Sequence, residues 1–136
     1  MADLKKILEK ASTIAIVGLS NKPEKTSNRI GKYLQKTGKY RVIPVNPSTQ
    51  EVLGEKSYAS LRDIPEDIDI DIVNIFRKSE YIEEIARDAV ERGCGVFWTQ
   101  LGIYNEEAKK ILKQADIPTV MNTCIFVEHQ NLTLLK

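Results

Sequence analysis

The feature that most constrains this chain is an alternation. Short apolar runs, unbroken by charge, are each followed by a segment whose apolar residues recur at helical spacing. Ile14-Ala15-Ile16-Val17 is the clearest run, and it closes on Gly18. A strand that is apolar on both faces is buried on both faces, the pattern of a parallel sheet covered by helices. Ahead of it, Leu4, Ile7, Leu8 and Ala11 follow i, i+3, i+4, i+7 and predict a short amphipathic helix. After it, Ile30, Tyr33, Leu34 and Thr37 form the inner face of a second helix, with Thr26 or Ser27 as its cap and Gly38 beyond its end.

The alternation continues to the end of the chain. Residues 40–45 predict a second strand, in which Pro44 is placed where the ladder is ending. Val52-Leu53-Gly54-Glu55 is a turn, and residues 58–64 are a short helical or irregular stretch. Asp67, Asp69 and Asp71 alternate with Ile68, Ile70 and Ile72 before the run reaches Phe76. Carboxylates at every second position are a device against edge pairing, so this third strand is expected at a sheet edge. Ile82, Ile85, Ala86 and Ala89 define a helix capped by Ser79, and Gly95-Val96-Phe97-Trp98 is a fourth strand. Asn105 caps a helix carrying Ala108, Ile111, Leu112 and Ala115, and Thr119-Val120-Met121 is a fifth strand. Residues 124–135 read equally well as helix or strand. The expected fold is α/β, a doubly wound Rossmann-like parallel sheet of about five strands in the order 3-2-1-4-5, with helices on both faces.

With 136 residues, 42% hydrophobic and 29% charged, residues 1–136 are expected to form a single domain. The 20 Lys+Arg nearly cancel the 19 Asp+Glu, so bulk capture of nucleic acid or an anionic membrane is not indicated. No apolar run approaches the roughly 20 residues that span a bilayer, and Met1-Ala2-Asp3-Leu4-Lys5-Lys6 lacks a signal-peptide core; a cytoplasmic location is expected. Two cysteines and one histidine give neither a disulfide framework nor metal-ligand spacing. The charge is unevenly distributed, however. Residues 20–50 carry seven basic groups against the single acid Glu24. Lys36 and Lys39 read as a solvated helix face, whereas Lys22, Lys25 and Arg29 lie near a helix start, where an anionic ligand would sit.

In such a sheet a ligand binds outside the carboxyl ends of the strands, where the strand order reverses. In the order 3-2-1-4-5 that point falls between strands one and four. It sets Gly18, Leu19, Ser20 and Asn21 against Trp98, Thr99, Gln100, Leu101 and Gly102, flanked by Asn46-Pro47, Phe76-Arg77 and Asn122-Thr123-Cys124. The dinucleotide signature GxGxxG is absent: the loop reads Gly18-Leu19-Ser20-Asn21-Lys22-Pro23, and the next glycine, Gly31, suits close helix–sheet packing. Strand two ends in Asn46-Pro47, without the acid that would hold a ribose of NAD, and no Walker A loop exists. No catalytic constellation stands out. His129 has no nucleophile at a recognisable spacing, Cys94 reads as a buried thiol, and Cys124, beyond a strand end, has the better claim to chemistry.

The residues themselves resemble a known family. Ile14-Ala15-Ile16-Val17-Gly18-Leu19-Ser20, Lys22-Pro23-Glu24, Val42-Ile43-Pro44-Val45-Asn46-Pro47 and Val52-Leu53-Gly54-Glu55-Lys56-Ser57-Tyr58 are similar to the small stand-alone CoA-binding proteins. So are Phe76-Arg77, Gln100-Leu101-Gly102 and Cys124 with Glu128-His129, and a similarity to the nucleotide-binding domain of the succinyl-CoA synthetase α subunit goes with them. The resemblance implies coenzyme A, or an acyl-CoA, lying over residues 18–21, Asn46-Pro47, Phe76-Arg77 and Gln100-Leu101-Gly102, and gives Lys22, Lys25 and Arg29 a pyrophosphate and a 3′-phosphate to meet. It implies that Leu19, Phe76 and Leu101 flank the adenine or the pantetheine arm. Two positions depart from the family pattern: Thr123 stands where a basic residue is usual, and Thr26-Ser27 where proline and serine are common. The expected function is a binding or regulatory module without catalysis of its own. Its rivals are a small Rossmann enzyme, using atypically bound NAD(P) or the Cys124 thiol, and an interaction subunit with a vestigial nucleotide site.

Overall fold

The computed structural model describes residues 3–134; Met1, Ala2 and Leu135, which entered the readings above, lie outside them. The elements run α1 (Leu4–Lys10), β1 (Thr13–Val17), α2 (Thr26–Lys36), β2 (Arg41–Val45), a two-stranded ribbon β3 (Glu51–Val52) and β4 (Glu55–Lys56), and β5 (Ile72–Ile75). They continue α3 (Ile82–Arg92), β6 (Val96–Thr99), α4 (Glu106–Gln114), β7 (Thr119–Val120) and α5 (Ile125–Leu134). Five strands make one sheet in the order β2-β1-β5-β6-β7, and every pairing within it is parallel. The fold is therefore the doubly wound, Rossmann-like architecture that the alternation implies.

The strand order differs from the expected 3-2-1-4-5. Counting only the five sheet strands along the chain, it is 2-1-3-4-5, and the Asp-studded third strand is central. The reason lies in where the strand begins. Asp67 and Asp69 sit in the turn before β5, and the paired residues Ile72, Val73, Asn74 and Ile75 are all buried. Asp71, the last of the alternating acids, accepts hydrogen bonds from the backbone N–H groups of Ser12 and Thr13 at 2.9 and 3.0 Å. That carboxylate caps the start of β1 and fixes β5 beside it instead of repelling a neighbour.

One of the two edges is β2, and this explains Pro44. Its carbonyl accepts from Tyr58 N at 3.1 Å, on the side away from β1. The missing N–H points the same way, so the β1–β2 ladder loses nothing. Gly95 permits the approach of β6 to β5: a Cβ there would stand 2.6 Å from the carbonyl oxygen of Asp71.

Two apolar layers cover the sheet. One contains Ile14, Ile16, Leu34, Trp98 and Ile125, under α1, α2 and α5. The other contains Ala15, Val73, Ile75, Phe97, Ala86 and Leu112, under α3 and α4. The closing segment that periodicity left open is the helix α5, which buries Ile125 and His129 one turn apart. Gly31 packs as expected, with Leu19 and Leu53 methyl groups 3.0 and 3.2 Å from where its Cβ would be. The two serine caps are not used as caps. Lys25 precedes α2 without a side-chain bond, while Ser27 and Ser79 serve neighbouring loops through their hydroxyls. Asn105 caps α4 as read, accepting from Ala108 N at 2.9 Å.

Candidate functional site

The switch point lies between β1 and β5, whose crossovers leave to opposite faces. Phe76-Arg77 therefore stands next to the β1–α2 loop, where the expected order set residues 98–102. The loop after β1 is shaped by backbone contact before any side chain acts. Gly18 has φ +87°, and a Cβ on it would be 2.6 Å from the carbonyl oxygen of Phe76 and 3.2 Å from Arg77 Cδ. Only glycine lets β1 turn this close under β5.

From there the loop is held by side chains of α2. Ser27 Oγ accepts from Ser20 N at 3.0 Å, and Asn28 Nδ2 donates to the Ser20 carbonyl at 2.8 Å. Ser20 Oγ in turn accepts from Lys22 N at 3.1 Å. Asn46, at the end of β2, donates from Nδ2 to the Leu19 carbonyl at 3.0 Å, and its own carbonyl accepts from Ser57 Oγ at 3.0 Å. Ser27 and Asn28 are both buried although polar. The sequence reading missed them as site-forming residues. Their one trace in the sequence, too ambiguous to read as a site, is that both fall on the helix face that also carries Ile30, Gly31 and Leu34.

Two hollows meet over Phe76-Arg77. The first, about 520 Å³, is the more polar of the two and is lined by Gly18, Ser20, Asn21, Lys22, Asn46, Pro47, Phe76 and Arg77, with Tyr81, Glu84 and Asp88 also lining it. Burial pushes the Asp88 carboxyl above its ordinary range, partly opposed by Arg62 beside it at 3.4 Å. The Arg77 guanidinium lies 4.6 Å from the centre of the Tyr81 ring. The ion pairs among the described residues involve Arg62, Arg87 and Lys110, and none of Lys22, Lys25, Arg29 or Arg77.

The second hollow, about 680 Å³, is a largely apolar groove that shares Phe76 and Arg77 and adds Gln100, Leu101, Gly102 and Cys124. Gln100 is buried and fixed, its Oε1 accepting from Asn74 Nδ2 and from Ile125 N, both at 3.0 Å. Its Nε2 thereby faces Cys124 Sγ at 3.5 Å. Asn74 Oδ1 is buried without a hydrogen-bond partner among the described residues. Of the two thiols, Cys94 lies away from both hollows at the opposite end of the sheet, and burial pushes it up to about 11.

The two hollows therefore unite most of the residues singled out from sequence. Leu19, Lys25 and Arg29 line neither. Leu19 is fully buried beneath the loop, while Lys25 and Arg29 are exposed at and beyond the start of α2. Trp98 is core, its indole N–H donating to the Thr123 carbonyl at 2.8 Å. His129 Nδ1 lies 2.7 Å from Tyr33 Oη, within the layer under α2 and α5.

In a doubly wound sheet the switch point is where a small ligand sits, and the two hollows adjoin there. The chain belongs to the CoA binding domain family, whose pattern it matches over residues 12–130. It is 44% identical over 128 residues to YneT of Bacillus subtilis (strain 168), covering 94% of this chain and 93% of that protein. A hypothetical protein from Pyrococcus horikoshii OT3 superposes with a TM-score of 0.90 at 41% identity, over 96% of this chain and 89% of that one. The α subunit of an ADP-forming acetate–CoA ligase II from Pyrococcus furiosus is 30% identical over 104 residues, 74% of this chain but 22% of the ligase subunit. The chain thus spans about a fifth of that subunit, in addition to matching a relative of nearly its own length.

Proposed function

We propose that this chain binds coenzyme A across the carboxyl ends of β2, β1, β5 and β6, as a binding or regulatory module without catalysis of its own. The observation that carries this reading is the joining of two unlike hollows over Phe76-Arg77. CoA is itself two unlike halves, a nucleotide end with a pyrophosphate and a 3′-phosphate, and a long arm ending in a thiol. The phosphates would meet the loop of Gly18, Ser20, Asn21 and Lys22 and the start of α2, with Arg77 beside them. The adenosine would occupy the polar hollow between Asn46-Pro47 and Tyr81. The arm would cross Phe76 toward Gln100 and Cys124.

The chemistry around Cys124 speaks against the rival reading that uses its thiol. The group facing its sulfur is the amide of Gln100, which cannot accept a proton as a general base would.

A thermal-shift series with CoA, dephospho-CoA, NAD and NADP tests the reading. At about 100 times its dissociation constant, a ligand specific for the folded state adds roughly 2.7 kcal/mol, several degrees in the midpoint. The expected result is a shift with CoA and none with NAD. A larger shift with NADP would transfer the site to a nicotinamide cofactor, and no shift with any ligand would leave it vestigial.

A further inference from the structure

The groove beyond Phe76 is more apolar than the arm of CoA needs. Its apolar walls are Ile30, Phe76, Leu101, Ile103, Cys124 and Val127. Two of these are large aliphatic residues left in solvent: Leu101 is 71% exposed and Val127 46%. Thr26, Arg77, Lys78, Ser79 and Gln100 also line it, and the last two are already engaged. Gln100 Oε1 accepts two hydrogen bonds, Ser79 Oγ accepts from Tyr104 N, and the Ser79 carbonyl accepts from Asn105 Nδ2. The pantetheine arm carries two amides that want donors and acceptors, whereas most of this surface offers carbon.

The groove's volume, about 680 Å³, lies within the range of small-molecule pockets, roughly 300–1,000 Å³. It adjoins the more polar hollow, with Phe76 and Arg77 lining both. A ligand anchored by its phosphates on the β1–α2 loop can therefore lay an aliphatic tail along the groove without leaving the surface.

We infer that the groove receives the acyl chain of an acyl-CoA, and that the chain prefers acyl-CoAs with several methylenes to free CoA. This inference rests on the CoA reading above and names the form of the ligand. Each methylene fully removed from water is worth up to about fourfold in affinity, and a groove open along one side returns about twofold. Octanoyl-CoA, six methylenes longer than acetyl-CoA, should then bind at least tenfold tighter.

Calorimetric titration of the whole chain with CoA, acetyl-, butanoyl-, hexanoyl- and octanoyl-CoA tests this. The expected result is an affinity that climbs with chain length, and a climb reduced to about threefold or less in Val127→Asp, which places a carboxylate on the groove wall. Val127 is half in solvent, so the variant keeps its core. Equal affinities across the series, with CoA still bound, would overturn the acyl inference and leave the CoA reading intact. Failure of every form to bind would remove both. A flat series together with concentration-dependent dimerisation would assign the groove to a second copy of the chain and also overturn the inference.

Discussion

The two halves of the candidate site are built on opposite principles. The polar half is held by the protein's own hydrogen bonds: Ser27, Asn28 and Asn46 each fix a backbone group of the loop that follows β1. These anchors come from α2 and β2, so the loop's shape is part of the fold. In the apolar half, Gln100 is fixed with equal care, yet the wall beside it is surface. Leu101 turns its side chain to water, although the backbone beside it is tied by the Gly102 N–H donating to Asn122 Oδ1 at 2.6 Å. One half spends its side chains on internal order, and the other leaves apolar surface that the fold does not need. Substitutions should therefore separate the halves by what they do to stability.

The largest effect belongs to Gly18→Ala. The new Cβ would meet the Phe76 carbonyl at 2.6 Å, a contact with backbone that no rotamer relieves. A positive φ adds its own strain of about 1–2 kcal/mol. The expected loss is about 3 kcal/mol or more, read as a lower urea midpoint. An unchanged midpoint would mean that β1 and β5 can part without cost, and the polar half would then be no more rigid than the apolar one.

Ser27→Ala comes next. Ser27 is buried, and its hydroxyl is the acceptor for Ser20 N. Removing it leaves that N–H unmatched in a partly buried place, which costs about 1–2 kcal/mol. Because the same N–H belongs to the loop proposed to meet phosphates, CoA should also bind more weakly than to the native chain. Lost stability with native CoA affinity would detach the loop from the ligand.

These anchors also mark where the sequence was legible and where it was not. The apolar runs and helical stripes are local signals, so β1, α2, α3, β6 and α4 could be read directly. Strand order is not local. It shows in contacts such as Asp71 with the N–H groups of Ser12 and Thr13, 59 and 58 residues away in the chain. The same alternation of acids fits an edge strand or a capping turn, and nothing within residues 67–72 distinguishes them. The misplaced third strand in turn drew the switch point toward residues 98–102, whereas Phe76-Arg77 occupies it. Ser27 and Asn28 were hidden for a related reason. A polar residue near a helix start reads as a cap, and only the loop folded against it reveals another use. α5 escaped because its inward positions include His129, which breaks an apolar stripe while remaining buried beside Tyr33.

The smallest effect on stability is the most informative about the apolar half. Leu101→Ser removes an aliphatic side chain that is already 71% in water, so little burial is lost. Surface changes of this kind stay within about 0.5 kcal/mol, and the urea midpoint should barely move. If the groove exists for an acyl chain, however, the advantage of octanoyl-CoA over acetyl-CoA should shrink in the same variant. A residue that contributes nothing to folding and something to ligand preference would show why an exposed leucine stands there. A marked loss of stability would instead make Leu101 part of the packing and return the groove wall to the fold.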